Sequence, residues 1–362
     1  MIPVSKPIIP KNAERNLLEC LKTGWVSSVG PFINLFEESF AKYLGISFAI
    51  TSTSGTASLH LALAALNIGK GDEVIVPTFT MIAPVFAVLY VGAKPVLVDS
   101  DLDTWNMDTS LIEKKITKKT KAILVVHIYG HPADLKPILA LAKKYGLFII
   151  EDAAESLGSE YQGKKVGTFG DVACFSFYAN KTITTGEGGM VVTNNKKLAK
   201  RLRLLKDMAH SPKKRFLHTE VAFTYRMTNM QAALGLAQME IIDKIIEKKR
   251  SIAKFYHLRF SKLPSLTLPP EKAWAKNVYW MYGILVKDRD KIRSKLKKQG
   301  IDTRDFFIPM HQQVVLAKLN LIQNKHYPVA DYLSKHGLYL PSGPNLIIEE
   351  QKKVCQALEE VI

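Results

Sequence analysis

Short apolar runs that are typical of buried strands alternate with helical patterns over the first two thirds of the chain. The runs lie at 48–51, 73–76, 95–98, 122–126, 148–151, 173–177 and 190–193. Helical patterns lie between several of them, at 56–66 and 135–145, and after the last of them, at 196–208. Strands that are apolar throughout need cover on both faces, and helices between parallel strands supply it. The alternation therefore predicts an α/β fold, in which a large domain has a mainly parallel sheet flanked by helices.

The pattern changes near residue 228, beyond which helical character dominates. The predicted elements are a long helix at 229–259, a Pro-rich turn at 263–270, a strand near 279–286 and helices near 288–299 and 349–361. A chain of 362 residues commonly forms two or three domains. We therefore expect a large domain over 1–228 and a smaller C-terminal α+β domain over 229–362.

The chain carries 50 Lys and Arg residues against 33 Asp and Glu residues, a formal net charge of +17. Such a charge is compatible with binding to nucleic acid. The basic residues are spread along the whole chain, however, and their densest runs (196–197, 213–215, 248–250 and 297–298) fit solvated helix faces or turns. We therefore expect no nucleic-acid partner, and attraction of small anionic substrates is the second interpretation.

The cysteines and one uncharged stretch indicate the cellular compartment of the protein. Cys20, Cys174 and Cys355 form no CxxC pair, which is typical of a reducing compartment. The stretch 74–93 carries no charge and is about long enough to cross a bilayer. Because it contains Pro77 and Pro84, it fits a buried strand, a turn and a buried helix better. We expect a cytoplasmic protein with no membrane partner.

The segment 53–56 (TSGT) directly follows an apolar run and opens a helical pattern. Such a turn presents hydroxyl groups, backbone N–H groups and a helix N-terminus, and all of these can bind an anion. Ser54, Gly55 and Thr56 are therefore candidate anion ligands. A simple helix cap by Ser or Thr is the alternative that this segment leaves open.

The segment 151–155 (EDAAE) follows the apolar residues 148–150. Ligands of parallel sheets bind outside the carboxyl ends of the strands, so Asp152 is placed to hold a cation such as a protonated pyridine nitrogen. A helix-capping role for Asp152 fits the local sequence equally well.

Lys181 ends the segment 176–181 (SFYANK) and has Phe177, Tyr178 and Ile183 as sequence neighbours. Partial burial among such side chains lowers the pKa of an amine and favours its neutral, nucleophilic form. Such a lysine can form a Schiff base with an aldehyde. The next segment, 184–189 (TTGEGG), has three glycines in four positions, which permit close backbone approach or simply a tight turn.

Together these segments resemble the DegT/DnrJ/EryC1/StrS family of sugar aminotransferases over nearly the whole chain. The matching segments are 54–56 (SGT), 151–154 (EDAA), 175–181 (FSFYANK), 186–189 (GEGG) and 225–233 (YRMTNMQAA). The resemblance implies the fold-type-I aminotransferase architecture, with pyridoxal 5′-phosphate as cofactor. It also implies a nucleotide-linked keto sugar as substrate, L-glutamate as amino donor and a homodimer with shared active sites.

The family's pattern implies a role for each matching residue. Lys181 would bind the cofactor covalently and move protons at the substrate carbon. Asp152 would pair with the pyridine nitrogen of the cofactor and keep its ring an electron sink. The residues that would bind the cofactor phosphate are Ser54, Gly55, Thr56 and Ser176.

Three further residues would contact the cofactor. Met81 lies where relatives often carry an aromatic side chain over the cofactor ring, and a thioether can also pack there. Glu155 lies where many relatives carry Gln near the cofactor hydroxyl. Asn229 would reach the phosphate of the cofactor in the neighbouring subunit. Because this chain differs from the common pattern of the family at Met81 and Glu155, that pattern defines the roles of these two residues less well than those of the other cofactor-binding candidates.

Four residues are candidate substrate contacts. His311 lies in a loop bounded by proline, with an ordinary loop residue as the alternative. Lys213 and Arg215 are candidates for binding a substrate diphosphate. Tyr178 is a candidate for contact with a nucleotide base, although such aromatic residues more often belong to the core or the rim of a site.

A closer resemblance, to the perosamine-synthase branch of the family, rests on 80–83 (TMIA), 130–134 (GHPAD), 180–189 (NKTITTGEGG) and 309–311 (PMH). That branch implies amino transfer to the C4 keto group of GDP-4-keto-6-deoxymannose. The product would be GDP-perosamine, used in O-antigen and lipopolysaccharide biosynthesis. A UDP- or dTDP-linked keto sugar is the alternative substrate, and a non-catalytic regulator that binds the cofactor is the alternative function.

Other chemistries fit these residues less well. His127 and His131 are four apart, but glycine and proline residues beside them break any helix, so we expect no metal site. A P-loop needs glycine directly before its lysine, where this chain has Asn180, and the GxGxxG pattern of a nicotinamide dehydrogenase is missing. Sugar dehydratases on the same scaffold carry His in place of Lys181.

Overall fold

The computed structural model describes residues 1–211, 213–214, 216–322 and 326–362. Within them, the helices are α1 (Lys11–Thr23), α2 (Pro31–Leu44), α3 (Gly55–Ala65), α4 (Ala83–Tyr90), α5 (Leu135–Tyr145), α6 (Lys196–Lys206), α7 (Asn229–Met239), α8 (Ile242–Phe260), α9 (Arg289–Lys298), α10 (Val314–Lys318), α11 (Pro328–His336) and α12 (Ile348–Val361). The strands are β1 (Phe48–Ser52), β2 (Glu73–Pro77), β3 (Lys94–Val98), β4 (Thr120–Val126), β5 (Phe148–Asp152), β6 (Glu160–Tyr161), β7 (Lys164–Lys165), β8 (Val172–Ser176), β9 (Gly189–Thr193), β10 (Ala275–Lys276), β11 (Tyr282–Leu285), β12 (Arg304–Asp305) and β13 (Gly337–Leu340).

A seven-stranded sheet in the order β1-β9-β8-β5-β4-β2-β3 forms the centre of the fold. The pairs from β8 through β3 are parallel, whereas β9 pairs antiparallel with both β1 and β8. Each of the seven apolar runs predicted as strands is a strand here, with ends that differ by no more than two residues. The predicted α/β fold with a mainly parallel sheet flanked by helices is therefore confirmed.

The side chains of this sheet alternate between two separate apolar layers. Val74 and Val76 of β2 pack in one layer with residues of α3, α4 and α6, whereas Ile75 packs in the other layer with residues of α2 and α5. This alternation follows from the period of two along a strand. Because both faces are covered, the strands are apolar throughout, and polar side chains are confined to the strand ends.

A smaller antiparallel sheet, in the order β11-β13-β12, lies in the last third of the chain. Its apolar side chains form a third core with residues of α8, α9 and α12, including Tyr256, Tyr282 and Val354. The proposed division into domains over 1–228 and 229–362 stays a prediction. Helix α7, directly after residue 228, packs against α1 and α2.

Two predictions for this part of the chain were wrong in detail. The single helix expected over 229–259 is two helices, because α7 ends at Met239 and α8 begins at Ile242. No glycine or proline marks this break, and it lies where the packing changes, since α7 contacts α1 and α2 while α8 contacts α12. The strand expected near 279–286 is shorter, since Tyr279 has a φ of 49° and cannot continue a strand.

The uncharged stretch 74–93 folds as most of β2 followed by α4, both of them parts of the core. In the part of the chain that the structure describes, no helix combines the length and the apolar character that crossing a membrane requires.

Candidate active site

A cavity of about 310 Å³ opens at the carboxyl ends of β4, β5 and β8, beside the first turn of α3. Nine of the residues singled out from the sequence line it: Ser54, Gly55, Thr56, Met81, Asp152, Glu155, Ser176, Tyr178 and Lys181. A larger open groove of about 920 Å³ runs along α8 and contains none of them. The position of the smaller cavity is the one at which parallel sheets bind ligands.

Ser54 is the N-cap of α3. Its Oγ accepts a hydrogen bond from the backbone N–H of Ala57 at 3.1 Å, and its carbonyl oxygen accepts one from Ser58 at 2.9 Å. The amides of Gly55 and Thr56 are the first two of the helix and have no intrahelical acceptor. Ser54 therefore serves as a helix cap, and the two amides after it, at the positive end of the helix, are the donors placed for an anion.

Gly55 is required at this turn by close packing between α3 and β8. A Cβ atom at Gly55 would lie 2.8 Å from the Cβ of Ser176. A second glycine permits a similar approach, because a Cβ at Gly189 would lie 2.4 Å from the carbonyl oxygen of Ser54. The glycines thus bring the ends of β8 and β9 against the first turn of α3, which places Ser176 beside Gly55 and Thr56.

Two successive carboxylates end β5 and point to opposite faces of the sheet, as strand geometry requires. Glu151 is fully buried and accepts hydrogen bonds from Nε2 of His127 at 3.1 Å and from the amides of Gly167, Phe169 and Gly170 at 2.7–2.8 Å. These donors outweigh the effect of burial and lower the pKa of Glu151. Glu151 is thus an ionised structural residue that anchors the loop before β8.

Asp152 faces the cavity and is buried. Burial raises its pKa, and this effect is opposed by the hydrogen bond that its Oδ1 accepts from the amide of Ala154 at 3.1 Å and by the nearby charge of Lys181. A carboxylate in such surroundings gains from a cationic partner in the cavity, because that partner compensates for the lost solvent.

Lys181 lies in a compact loop between β8 and β9. The amide of Lys181 donates to the carbonyl oxygen of Tyr178 at 2.9 Å, and the amide of Thr185 donates to that of Phe177 at 3.0 Å. The Nζ of Lys181 lies 3.8 Å from Oε1 of Glu155, and the side chain of Lys181 is 13% exposed. Burial lowers the pKa of Lys181, although Glu155 and Asp152 oppose the change. The amine is therefore positioned in the cavity with an increased neutral fraction.

Glu155 is a second buried carboxyl group in the cavity. Its Oε2 accepts a hydrogen bond from the amide of Tyr129 at 2.8 Å. Burial raises the pKa of Glu155 to about 7, against the opposing effect of Lys181. Near neutral pH this group exists in both protonation states, so it can donate a proton to a neighbouring oxygen or accept one.

Met81 and Tyr178 form part of the rim, and each side chain is 49% exposed. The sulfur of Met81 accepts a hydrogen bond from the amide of Ala83 at 3.3 Å. The Oγ of Ser176 lies 3.4 Å from the amide of Tyr178. Both rim side chains are free to pack on a planar ligand in the cavity.

Trp280 and Phe307 also line the cavity, and sequence reasoning identified neither of them. Nζ of Lys181 lies 3.8 Å from the centroid of the Trp280 ring. No local pattern could have revealed this contact, since Trp280 comes from the chain just before β11 in the smaller sheet. Asn180 also lines the cavity, and its Oδ1 is buried with no hydrogen-bond partner among the described residues.

Four sequence-predicted residues do not line the cavity or cannot be placed. Asn229 is buried and does not line the cavity, and its amide group donates to the carbonyl oxygen of Trp25 at 2.8 Å. His311 is buried too, between Thr78 Oγ1 at 2.9 Å and Asp331 Oδ1 at 2.8 Å. Lys213 is exposed, and Arg215 lies outside the described residues. The roles given to these four residues stay predictions.

His127 and His131 are both engaged in structural hydrogen bonds. Nδ1 of His127 accepts from the amide of Ala133 at 3.0 Å, so its Nε2–H is the group that donates to Glu151. Burial lowers the pKa of His131 to about 4. Among the described residues, no group of three or more His, Cys, Asp or Glu side chains is arranged to hold a metal ion.

The cavity fits an aromatic aldehyde that carries a phosphate group. Lys181 supplies the amine, Asp152 a carboxylate for a protonated ring nitrogen, and the first turn of α3 the donors for an anion. The Oδ1 of Asn180, which has no hydrogen-bond partner in the part of the chain that the structure describes, is one more polar atom that a ligand can satisfy.

Comparison with known proteins agrees with a cavity built for such an aldehyde. A family model described as the DegT/DnrJ/EryC1/StrS aminotransferase family matches residues 7–359. A GDP-perosamine synthase from Escherichia coli O157:H7 is 45% identical over 362 residues, which cover 99% of this chain and 98% of that protein. A GDP-perosamine synthase from Caulobacter vibrioides is 43% identical, with 100% and 98% covered. The crystal structure of S. venezuelae DesV in complex with a ketimine intermediate superposes with a TM-score of 0.92 at 35% identity, covering 96% of this chain and 93% of DesV.

Proposed function

Because the chain belongs to the DegT/DnrJ/EryC1/StrS aminotransferase family, we propose that it transfers an amino group to the C4 keto group of GDP-4-keto-6-deoxymannose, giving GDP-perosamine. The observation that carries the amino transfer is the buried amine of Lys181, which faces the cavity together with Asp152. The choice of sugar is supported by the two GDP-perosamine synthases, which are more than 40% identical over nearly the full chain.

The cofactor of this family is pyridoxal 5′-phosphate. When bound, it supplies an aldehyde that carries the amino group and a ring that delocalises negative charge from the reacting carbon. The first turn of α3, with Gly55 and Thr56, and the hydroxyl of Ser176 would hold its phosphate. Asp152 would hold the protonated ring nitrogen, whose positive charge relieves the burial of the carboxylate.

Lys181 and Glu155 would handle protons in this site. Because burial lowers the pKa of Lys181, its Nζ can accept a proton from the carbon of the amino donor in one half-reaction and, as an ammonium group, donate a proton to the carbon of the sugar in the other. Glu155, with a pKa near 7, would hold a proton on the oxygen atom that faces a ligand hydroxyl. Glutamine, which many relatives carry at this position, can donate a hydrogen bond there but cannot change its charge.

We further propose that L-glutamate is the donor and that the active unit is a homodimer. Support for an interface comes from apolar side chains around the end of α1: Leu18, Leu21, Trp25, Val26 and Val29 are each at least 41% exposed. Asn229 donates to the carbonyl oxygen of Trp25, so it lies directly behind this surface. In such a dimer Asn229 would reach the phosphate site of the partner subunit. A cytoplasmic location is proposed with it, as three buried thiols suit a reducing compartment.

The test is a substrate panel with product detection by mass spectrometry. The full chain with pyridoxal 5′-phosphate and L-glutamate is given GDP-4-keto-6-deoxymannose, and UDP- and dTDP-linked 4-keto-6-deoxy sugars in parallel. We expect the highest kcat/KM for the GDP-linked sugar. The Lys181→Met variant should form no product, and the omission of glutamate should have the same effect.

Two outcomes would contradict different parts of the proposal. A higher kcat/KM with a UDP- or dTDP-linked sugar would overturn the assignment of the substrate while leaving the amino transfer intact. Product formed at the wild-type rate by Lys181→Met would overturn the assignment of the lysine.

A further inference from the structure

The side chain of Trp280 covers the amine at the centre of the site. Trp280 is 5% exposed, and the centroid of its ring lies 3.8 Å from Nζ of Lys181. Its Nε1–H donates a hydrogen bond to the carbonyl oxygen of Asn180 at 2.8 Å, directly before the lysine in the chain. One side chain thus binds both the backbone of the Lys181 loop and the charged end of Lys181. Among aromatic side chains, the indole of tryptophan provides the most favourable face for a cation–π contact.

The backbone of Trp280 is held at its carbonyl oxygen by a second buried ammonium group. Nζ of Lys249 donates to the carbonyl oxygens of Trp280 at 3.0 Å and Ser342 at 3.2 Å. Lys249 is only 2% exposed, and burial lowers its pKa to about 8. Near neutral pH the group remains mainly protonated, so two charge-assisted hydrogen bonds join α8 to this segment.

The residues around Trp280 leave its backbone little freedom. Tyr279, directly before it, has a φ of 49°, a conformation that a non-glycine residue keeps only when its surroundings enforce it. Its amide donates to Oδ1 of Asn277 at 2.7 Å, and its hydroxyl lies 3.1 Å from Glu271. On the other side, a Cβ at Gly130 would lie 2.8 Å from the amide nitrogen of Trp280.

We propose that Trp280 is a positioning residue of the site, which holds Nζ of Lys181 in place and stabilises its ammonium form through the indole face. Among the described residues, the charged groups that line the cavity with this amine are Glu155 at 3.8 Å, Asp152 and the exposed Glu187, and the first two act on its charge. Trp280 adds a neutral surface that favours the cation without adding a charge. The amine is thereby kept in one orientation, and the lowering of its pKa by burial is limited.

The role in amino transfer rests on the proposed function, but the test does not. It uses the full chain freed of cofactor and measures the pKa of Lys181 directly. Lysines are acetylated by acetic anhydride over a range of pH, and the extent at Lys181 is read by peptide mass spectrometry against the exposed Lys244 as internal standard. If no sugar in the substrate panel is converted, the measured pKa of Lys181 is still valid as a test of this proposal.

We expect Trp280→Leu to lower the pKa of Lys181 by about 1, since a desolvated cation–π contact is worth roughly a tenfold change in an equilibrium constant. Trp280→Tyr, which keeps an aromatic face, should restore part of the difference. Trp274→Phe is the matched control, because Trp274 packs against His131 and Tyr161 instead. An unchanged pKa of Lys181 in a folded Trp280→Leu variant would overturn the proposal.

A second measurement does not depend on the Trp280→Leu variant. In protein labelled with 5-fluorotryptophan, the ¹⁹F resonance of Trp280 should titrate with the same midpoint as the acetylation of Lys181. Trp280→Tyr identifies the resonance, and Lys181→Met should abolish this titration. If the chemical shift of the Trp280 resonance does not change over the pH range in which Lys181 titrates, the proposal is overturned. This holds even if Trp280→Leu does not fold.

Discussion

Substitution of Gly55 by alanine should weaken cofactor binding through a steric effect that the structure defines. The new Cβ would lie 2.8 Å from the Cβ of Ser176, which is 0.6 Å inside the 3.4 Å at which ordinary van der Waals contact begins. Ser176 cannot easily yield, because β8 is paired with β5 on one side and β9 on the other. The displacement therefore falls on the first turn of α3, where the amides of Gly55 and Thr56 are placed for the cofactor phosphate.

The substitution should change both the folding stability and the Kd for the cofactor. Overpacking of this kind costs about 1–3 kcal/mol of folding stability. Misplacement of one charge-assisted hydrogen bond to the phosphate costs about 1.5–3 kcal/mol, which corresponds to a Kd for pyridoxal 5′-phosphate higher by roughly 10- to 150-fold. The Kd is measured by titration of the absorbance of the bound cofactor, and the stability by thermal unfolding without cofactor.

Gly69→Ala is the matched control. A Cβ at Gly69 would meet only the carbonyl oxygen of Val91 at 3.5 Å, an ordinary contact, and the site is remote from the cavity. We expect this variant to keep the wild-type Kd. A Gly55→Ala protein that binds the cofactor as tightly as wild type would refute the assignment of the first turn of α3 as the phosphate site.

Three further predictions concern other residues of the site. Asp152→Asn should slow the half-reaction with L-glutamate by orders of magnitude without loss of fold, because an amide cannot favour the protonated ring nitrogen of the cofactor. The rate of this half-reaction is measured by stopped-flow absorbance, and a near-normal rate would contradict the prediction. Glu155→Gln should raise Tm relative to wild type at pH 8 but not at pH 4. Burial raises the pKa of Glu155 from 4.5 to about 7, so the stability of the wild type falls as pH rises between these two values and the loss is complete at pH 8. An equal effect at both pH values would be inconsistent with this explanation. Light scattering should show a dimer under assay conditions, and an active monomer would remove Asn229 from the site.

Much of the fold and the centre of the site could be predicted because both follow from local sequence. The strands of the sheet are short apolar runs, and their direction places Asp152 and Lys181 at the same edge. For the glycines of 184–189 the sequence left a tight turn and a close backbone approach open, and at Gly189 the structure shows a close approach, since a Cβ there would lie 2.4 Å from the carbonyl oxygen of Ser54. For Ser54 the sequence left a cap and an anion ligand open, and the structure shows the cap.

What could not be predicted depends on contacts between distant segments. Trp280 meets Lys181 only because the smaller sheet packs beside the loop after β8. The break between α7 and α8 has no local signal and follows the change of packing partners. The burial of His311 also depends on a distant segment, because its ring lies between Asp331 and Thr78, which is 233 residues earlier in the chain.

The most direct test of the central claim is to trap the cofactor on the protein. The full chain is incubated with pyridoxal 5′-phosphate, reduced with borohydride, digested and mapped by mass spectrometry. Burial also lowers the pKa of Lys206 and of Lys249, so these two lysines serve as internal controls for reactivity that depends only on a low pKa. We predict a label on Lys181 and not on the two controls. A label on Lys206, on Lys249 or on any other lysine in place of Lys181 would contradict the account.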